Sequence, residues 1–427
     1  MINSSILLLI VNFLFYLVAF IVYQSKTKKF TVISALLIFY GISAAVAVHL
    51  FDNPLNIRKY NDITLFPFIY LFAMLFLVAA PLLKIQKINY KSIQPPSPIA
   101  YNVLCVIVIG VMLSSATYTF SHFRETLTEM LLNDDIASDI YGDVLYNAQN
   151  MGRGISNIWS IFRGLVSDLT IFLLMYQLTR SKQNYLITAG LVLSVLVTPM
   201  TSINLASRGA LVNYILVLFM WYIFMRKWMS PKVNKIFTIS SLSLLSVFVL
   251  AFVLITNSRF SSRESDDQAV LYSLESYYGQ AFLNFDNYGL DAGGIRYGDR
   301  TMTGLKALFV GMDNVPKNFV ESVLKHKSLK IHETSFYTFV GDFTIDFGPE
   351  IAAIIFILFA YLFCKQFDYD SSEIPIHKLI IVYFIVSLLG KGLSLFPYSS
   401  IAGNLRMLVF ILVYVYFRVD YRLLYEK

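Results

Sequence analysis

Arg208 stands in a short polar break between two apolar segments, in the sequence Ser207-Arg208-Gly209. Its guanidinium is a planar fork of donors that stays charged, which suits bidentate binding of a phosphate. A helix beginning here would add backbone N–H groups that also favour an anion. The alternative is an arginine that extends to an interface and binds nothing specific. Gly209 lets a ligand or another backbone come close and favours the binding role.

Four further arginines belong to one long polar stretch. Arg259 and Arg263 directly follow an apolar segment, and Arg296 and Arg300 lie further along. Several guanidinium groups on one surface fit recognition of a diphosphate, and Ile295 to Arg300 holds no excess of acid. For each arginine taken alone, a solvated surface charge is the alternative.

His332 and Asp346 are the other candidates in this stretch. A histidine near a phosphate can act as general base for a hydroxyl group, because its unperturbed pKa lies near neutral pH. A lone loop histidine is more often a surface residue. Asp346 precedes Gly348-Pro349, and an N-cap of the next helix is favoured over a chemical role for its carboxylate.

Tyr278 belongs to an aromatic run at helical spacing, Glu275 to Tyr288. This spacing predicts a helix that lies on a membrane surface. A tyrosine ring can also stack on a ligand ring, although an interfacial aromatic belt is the favoured role.

Composition places these residues in a membrane protein. The 427 residues are 57% hydrophobic and 14% charged, and the mean hydropathy is +0.63. Many windows of about 20 apolar residues occur, enough to cross roughly 30 Å of hydrocarbon as helices. The sequence therefore predicts an all-α, polytopic bundle of about 11 transmembrane helices.

The distribution of positive charge predicts the orientation of these spans. Seventeen Lys and Arg residues fall in the predicted inner segments, against five in the short outer loops. The positive-inside rule then places the N-terminus outside and the C-terminus in the cytoplasm. Residues 1–256 would hold spans 1 to 8, residues 257–348 a large outer loop with short amphipathic helices, and residues 349–427 spans 9 to 11. The arginines of the loop would then face a lipid-linked pyrophosphate outside the membrane.

Several classes of protein are disfavoured. The basic residues, net +7, are scattered and do not form the clustered patch of a nucleic-acid interface. Two cysteines allow no disulfide framework and no cysteine metal site. Phosphate-binding Gly-rich loops, dinucleotide fingerprints and His-based metal motifs are not found. We expect no cofactor and no metal.

Three short pieces of the sequence carry a resemblance to a known family. They are Ser207-Arg208-Gly209-Ala210, the segment exit that bears Arg259, and the motif from Gly341 to Gly348, read as GDFTIDFG. With the span count and the large outer loop, the chain resembles the O-antigen and capsular oligosaccharide repeat-unit polymerases, the Wzy-type membrane proteins.

The resemblance implies a GT-C-like glycosyltransferase in the bacterial cytoplasmic membrane. Such enzymes transfer a glycan from undecaprenyl pyrophosphate to a lipid-linked repeat unit, at the outer face and without nucleotide or metal. The donor, the acceptor, the membrane lipid and a chain-length regulator are the implied partners. The candidate catalytic residues are then His332, Arg208 and Arg259, with Arg208 and Arg259 on the leaving pyrophosphate. The candidate substrate-binding residues are Arg263, Arg296, Arg300, Tyr278 and Asp346.

Three alternatives remain at this point. An O-antigen ligase would use the same donor with a different acceptor, and the sequence hardly separates it from a polymerase. A lipid-linked oligosaccharide flippase or another transporter would place polar residues along many spans, whereas here they concentrate in one outer loop. A dolichol-phosphate-type transferase would have acidic residues in an outer loop after the first span, but that loop is basic and predicted inside.

Overall fold

The computed structural model describes residues 4–56, 60–114, 116–132, 140, 158–260, 267–317, 319–331, 335–369 and 371–426. These residues form sixteen α-helices and two short strands. In chain order the helices are α1 Ser4–Thr27, α2 Val32–Phe51, α3 Phe66–Ile88, α4 Pro98–Leu113, α5 Ala116–Leu132, α6 Ile158–Thr179, α7 Tyr185–Asn204, α8 Arg208–Met225, α9 Pro231–Phe260, α10 Asp267–Asn284, α11 Thr303–Val310, α12 Phe319–Lys325, α13 Thr338–Phe347, α14 Pro349–Lys365, α15 Ile376–Lys391 and α16 Ser400–Tyr425. The strands are β1 Ser92–Gln94 and β2 Glu373–Pro375.

Eight of the described helices are long and apolar enough to cross a membrane. They are α1, α2, α3, α6, α7, α8, α9 and α16. These helices confirm the prediction of an all-helical, polytopic membrane protein. The count of about 11 spans stays a prediction. The other three predicted spans correspond to α4, α14 and α15, which have 16 or 17 residues. At 1.5 Å per residue such helices are about 24–26 Å long, shorter than the hydrocarbon layer.

One predicted span is two helices in the structure. The segment from Tyr101 to Phe120 was expected to be continuous, but α4 ends at Leu113 and α5 begins at Ala116. Local sequence explains the start of α4, because the Ser97 hydroxyl accepts from the Ala100 N–H as an N-cap and Pro98 follows at the first turn.

The strands β1 and β2 pair in parallel, with Ile93 opposite Ile374. Neither strand is predicted, because three residues carry no usable alternation of polar and apolar side chains. The pairing continues at one end, where the Lys91 N–H donates to the Ser372 carbonyl over 2.8 Å.

The chain divides into two compact units. The first comprises Met1–Asn89, Leu271–Ser371 and Phe384–Met407, and the second comprises Tyr90–Val270, Ser372–Tyr383 and Leu408–Lys427. The division into 1–256, 257–348 and 349–427 concerns topology across a membrane, which is a different property, and it stays a prediction.

The first unit has an aromatic core. The Tyr16 ring of α1 stacks on Tyr40 of α2 and meets Phe72 of α3 and Phe282 of α10 edge-on, with ring centroids 5.3–6.2 Å apart. Phe282 is fully buried there. The aromatic run that contains Tyr278 was predicted to lie on a membrane surface, but this ring of the run faces other helices because packing against Tyr16 removes it from solvent.

In the second unit, α7 packs against α4, α5, α6 and α8. The rings of Phe172, Trp221 and Tyr383 form its aromatic core, with centroids 5.0–6.0 Å apart. The Tyr383 hydroxyl donates to the Asp168 carbonyl over 2.7 Å, so the polar end of this buried ring is satisfied.

The turn between α7 and α8 has the hydrogen bonds of a helix C-terminal motif. The Ser207 N–H donates to the Ser202 carbonyl and the Ala206 N–H donates to the Ile203 carbonyl, over 2.8 and 2.9 Å. Ala206 has φ +47°, the left-handed conformation that this motif requires. The tight turn places Arg208 at the first position of α8.

We expect Ala206→Gly to preserve or slightly raise stability, by roughly 0.5 kcal/mol. Relief of the left-handed strain gives about 1–2 kcal/mol, and loss of the buried methyl costs about 0.8 kcal/mol. Ala206→Val should destabilise by more than ~2 kcal/mol, since a β-branched residue fits this conformation poorly. Unfolding titrations in detergent would measure both. The control Ala210→Gly, inside α8, should lower the free energy of unfolding by about 1 kcal/mol. An equal decrease for Ala206→Gly would contradict the explanation.

Candidate functional site

Arg208 is a buried arginine at the first turn of α8. The residue is 9% exposed, and its Nη1 donates to the Thr256 hydroxyl of α9 over 3.2 Å. That hydroxyl in turn donates to the Phe252 carbonyl over 2.7 Å, which leaves its lone pairs oriented to accept from the arginine. The guanidinium is therefore anchored to the C-terminal part of α9.

A hydrophobic cluster drawn from four helices includes sequence neighbours of Arg208 and of its partner Thr256. Buried residues of α5, α7, α8 and α9 and of the turn before α8 form one hydrophobic cluster: Met130, Ile203, Ala206, Leu211, Phe248, Ala251 and Ile255. A guanidinium next to such a cluster is poorly hydrated, and a charge in such surroundings interacts more strongly with an opposite charge than it would in water. An ionisable residue in an apolar helix bundle is by default a functional candidate.

The helix that Arg208 contacts is the helix that carries Arg259. Thr256 and Arg259 are three residues apart in α9, or about 4.5 Å along the helix axis. The side chain of Arg259 lies outside the described part of the structure, as do Arg263 and His332. A shared anion site formed by Arg208 and Arg259 stays a prediction, and the helix contact is compatible with it.

Arg296 is fully buried and lies in a different network, in the first unit. Its Nε is 2.7 Å from Asp346 Oδ1, and its Nη2 lies 3.3 Å from Asp342 Oδ1. The same Nη2 also donates to the Asp342 carbonyl. Both carboxylates belong to α13, so one arginine joins the segment before α11 to two successive turns of that helix.

Arg300 and two backbone groups complete this network. Arg300 Nε is 2.9 Å from Asp342 Oδ1, and the Phe396 N–H donates to Asp342 Oδ2 over 2.7 Å. Asp346 Oδ2 accepts from the N–H and the hydroxyl of Thr301, each over 2.7 Å. We call Arg296, Arg300, Asp342 and Asp346 the buried ion network.

Three of the predicted site residues belong to the buried ion network: Arg296, Arg300 and Asp346. Arg296 and Asp346 have no exposed side-chain surface, so the geometry supports a role in holding segments together and not direct substrate contact. The N-cap role favoured for Asp346 is wrong, because Gly348, with φ +84°, is the N-cap of α14. The Arg300 side chain is 16% exposed and keeps some access to solvent.

The partner Asp342 belongs to the motif GDFTIDFG and is not among the site residues predicted from the sequence. A signal for it exists in the sequence, since Arg296 and Arg300 are four apart and so are Asp342 and Asp346. Two arginines and two carboxylates at the same spacing indicate that the segments carrying them pair with each other. The arginines and their partners are 46 residues apart in sequence, so local pattern alone does not predict the pairing.

Asp299 forms a second buried cluster of charge. Its Oδ1 is 2.5 Å from Lys306 Nζ, and its Oδ2 is 2.8 Å from Lys325 Nζ and 3.1 Å from His326 Nε2. Burial alone would raise the pKa of Asp299, but His326, Lys306 and Lys325 outweigh it and hold that pKa well below its usual range. The cluster ties α11 and the end of α12 to the loop before them.

A pH dependence of stability follows from Asp299. Its pKa is lower in the folded state, so its contribution is present above the unfolded value of about 3.9 and is lost as pH falls below it. We expect the thermal midpoint to fall as pH drops from about 5 to 3, and Asp299→Asn to flatten that slope. Unfolding scans across this range would measure it. The control Asp313→Asn removes an exposed pair with Lys317 and should leave the slope nearly unchanged.

Tyr278 lies on α10 and is partly buried. Its ring meets Tyr277 edge-on at 5.4 Å, and Tyr277 meets Phe336 in the same way at 5.1 Å. Stacking of Tyr278 on a substrate stays a prediction. Within the described ranges no group of three or more His, Cys, Asp or Glu side chains is placed to hold a metal ion.

The fold and these sites define a polytopic helical membrane protein with a buried ion network in its first unit and a buried arginine at a helix start in its second. The chain matches no protein-family model, no curated protein and no solved structure.

Proposed function

We propose that this protein is a Wzy-type membrane glycosyltransferase, which polymerises undecaprenyl-pyrophosphate-linked repeat units at the outer face of the bacterial cytoplasmic membrane. The proposal includes a GT-C-like bundle of about 11 spans. The observation that carries it is Arg208, a guanidinium held at the first turn of α8 and against α9 within apolar surroundings. A charged donor in this position suits the negative charge that develops on a departing pyrophosphate.

The reaction needs only the two lipid-linked reactants. The bond between the donor sugar's anomeric carbon and the pyrophosphate oxygen breaks, and the acceptor hydroxyl oxygen forms a bond to the same carbon. The hydroxyl proton passes to a general base, for which His332 is the candidate. Arg208 and Arg259 bind the pyrophosphate as it leaves. Orientation of the two bulky reactants lowers the barrier further.

Other site residues take secondary parts in this proposal. Arg263, Arg300 and Tyr278 are candidates for substrate contact. Arg296 and Asp346 fix the segment before α11 on α13 through the buried ion network. Membrane lipid surrounds the protein, and a chain-length regulator is a proposed partner.

Polymerisation in a purified system tests the proposal. The full chain in detergent or nanodiscs is mixed with one lipid-linked repeat unit, in the presence of a chelator and without nucleotide. We expect a ladder of glycans, each one repeat unit longer than the last, on a gel. A product formed only after a lipid A core is added would indicate a ligase instead. Movement of the lipid across vesicles without any new bond would indicate a transporter, and either result would overturn the polymerase assignment.

A further inference from the structure

A polar cavity lies in the second unit, away from Arg208, where α6 ends. Its volume is about 360 Å³, within the range of small-ligand sites. It is bounded by the end of α6, by the residues that follow that helix, by β1 and by the short helical turn after α8. The lining residues that matter for its chemistry are Ser92, Thr179, Arg180, Ser181, Lys182 and Trp228.

The charge of this cavity is positive. Arg180 and Lys182 line it, and none of the described lining residues is acidic. Within the described part of the chain, neither cation forms an ion pair with a carboxylate. The lining residue Ser92 contacts one acid, since its hydroxyl donates to Glu373 Oε1 over 2.7 Å. That carboxylate is exposed and belongs to β2.

Arg180 is held in place without being neutralised. Its guanidinium lies over the Tyr101 ring at 4.9 Å, and its Nη1 donates weakly to Gln177 Oε1 over 3.4 Å. A guanidinium has five N–H donors, so most of them remain for a ligand. The C-terminal end of the α6 dipole carries about half a negative charge and repels an anion. Arg180 and Lys182 together supply two full positive charges, which outweigh it.

The Trp228 ring also lines the cavity. The Trp228 indole N–H is buried and has no acceptor among the described residues. It is closed to solvent, so a ligand in the cavity would contact the ring and not the N–H. Lys227 lies over the same ring at 4.2 Å and adds positive potential beside the cavity.

The position along the helices favours a membrane boundary. Arg180 follows α6 and Trp228 follows α8, and both helices are candidate spans. Basic residues with a tryptophan at the end of a span are typical of the interface with charged headgroups. The same end of these helices is predicted from the sequence to face the cytoplasm, because inner segments carry the excess of Lys and Arg.

We propose that this cavity binds a phosphate group, carried by an anionic phospholipid headgroup or by a soluble phosphate. Arg180 and Lys182 supply the charge, and the Trp228 ring forms part of the wall. The site is separate from the proposed pyrophosphate site, so it does not depend on the proposed function.

Native mass spectrometry of the purified full chain tests this binding. The probes are phosphatidylglycerol, phosphatidylcholine and inorganic phosphate, added separately. We expect phosphatidylglycerol to bind more tightly than phosphatidylcholine, and the double variant Arg180→Gln with Lys182→Gln to bind it about thirtyfold more weakly, at about fivefold per charge. Lys182→Gln alone changes an exposed residue, so we expect it to leave folding intact. It should weaken phosphatidylglycerol binding about fivefold.

A matched control removes the same charge elsewhere. Lys232→Gln with Lys235→Gln changes two exposed residues at the start of α9 that do not line the cavity, and we expect at most a twofold effect. Competition by inorganic phosphate would identify a soluble anion as the ligand, and lack of competition would identify the lipid. Equal losses in the two double variants, or no loss in either, would overturn the proposal.

Discussion

Arg208→Ala is expected to lower polymer formation by at least about 100-fold, because removing one donor to a developing negative charge typically costs a factor of 10²–10³. Arg208→Lys keeps the charge but loses the planar fork, and should retain intermediate activity. The measurement is the rate at which the glycan ladder extends with purified protein. Wild-type ladders from Arg208→Ala would remove the pyrophosphate assignment.

Two control variants separate this role from a structural one. Arg163, in α6, also donates to a threonine hydroxyl, that of Thr119 over 3.3 Å. Arg163→Ala therefore removes a comparable contact, and we expect the ladder to persist. Thr256→Val removes the acceptor that positions Arg208 and should slow extension about fivefold, the value of one ordinary hydrogen bond. Size-exclusion profiles and thermal midpoints of all variants would show whether each remains folded.

Asp342→Asn is expected to destabilise the protein by about 3–5 kcal/mol. The substitution leaves Arg296 and Arg300 without one of their carboxylates, and breaking a buried ion pair from one side leaves an uncompensated charge. The Phe396 N–H also loses a charged acceptor. Unfolding titrations in detergent would measure the change. A loss below about 1 kcal/mol would mean that the buried ion network contributes little.

Two further variants define the origin of this effect. Asp291→Asn removes an exposed pair with Lys330 and should cause no measurable change. Adding Arg296→Gln to Asp342→Asn should recover part of the stability, because the unpaired guanidinium is removed with its partner. A double variant that is less stable than the sum of the two single changes would contradict this explanation.

The sequence predicted those features that depend on local pattern. Long apolar runs and their basic ends were sufficient for the helical membrane architecture, and the polar break at Arg208 located the start of α8. The break between α4 and α5 is not predicted, because the apolar residues before Ser114-Ser115 and the aromatic residues after it fit one continuous span. The strands β1 and β2 are too short to leave a periodic signal.

The site residues were predicted unevenly for a physical reason. Arg208 is recognisable since a charge beside apolar segments is costly and therefore informative. The sequence predicts substrate binding for Arg296, because its partners Asp342 and Asp346 lie in α13, 46 and 50 residues later, where local pattern does not reveal them. The N-cap role predicted for Asp346 has the same origin, because the sequence shows only a neighbouring glycine and proline. In the structure its carboxylate accepts hydrogen bonds from the Thr301 N–H and hydroxyl.

The pairing of β1 with β2 has a consequence for synthesis of the chain. Ser92 leaves the ribosome 281 residues before Glu373, its partner. At about 5–20 residues per second, β1 waits roughly 15–55 s for β2 to be translated. The helices of the second unit must therefore insert while one of their connecting segments still has an open backbone edge.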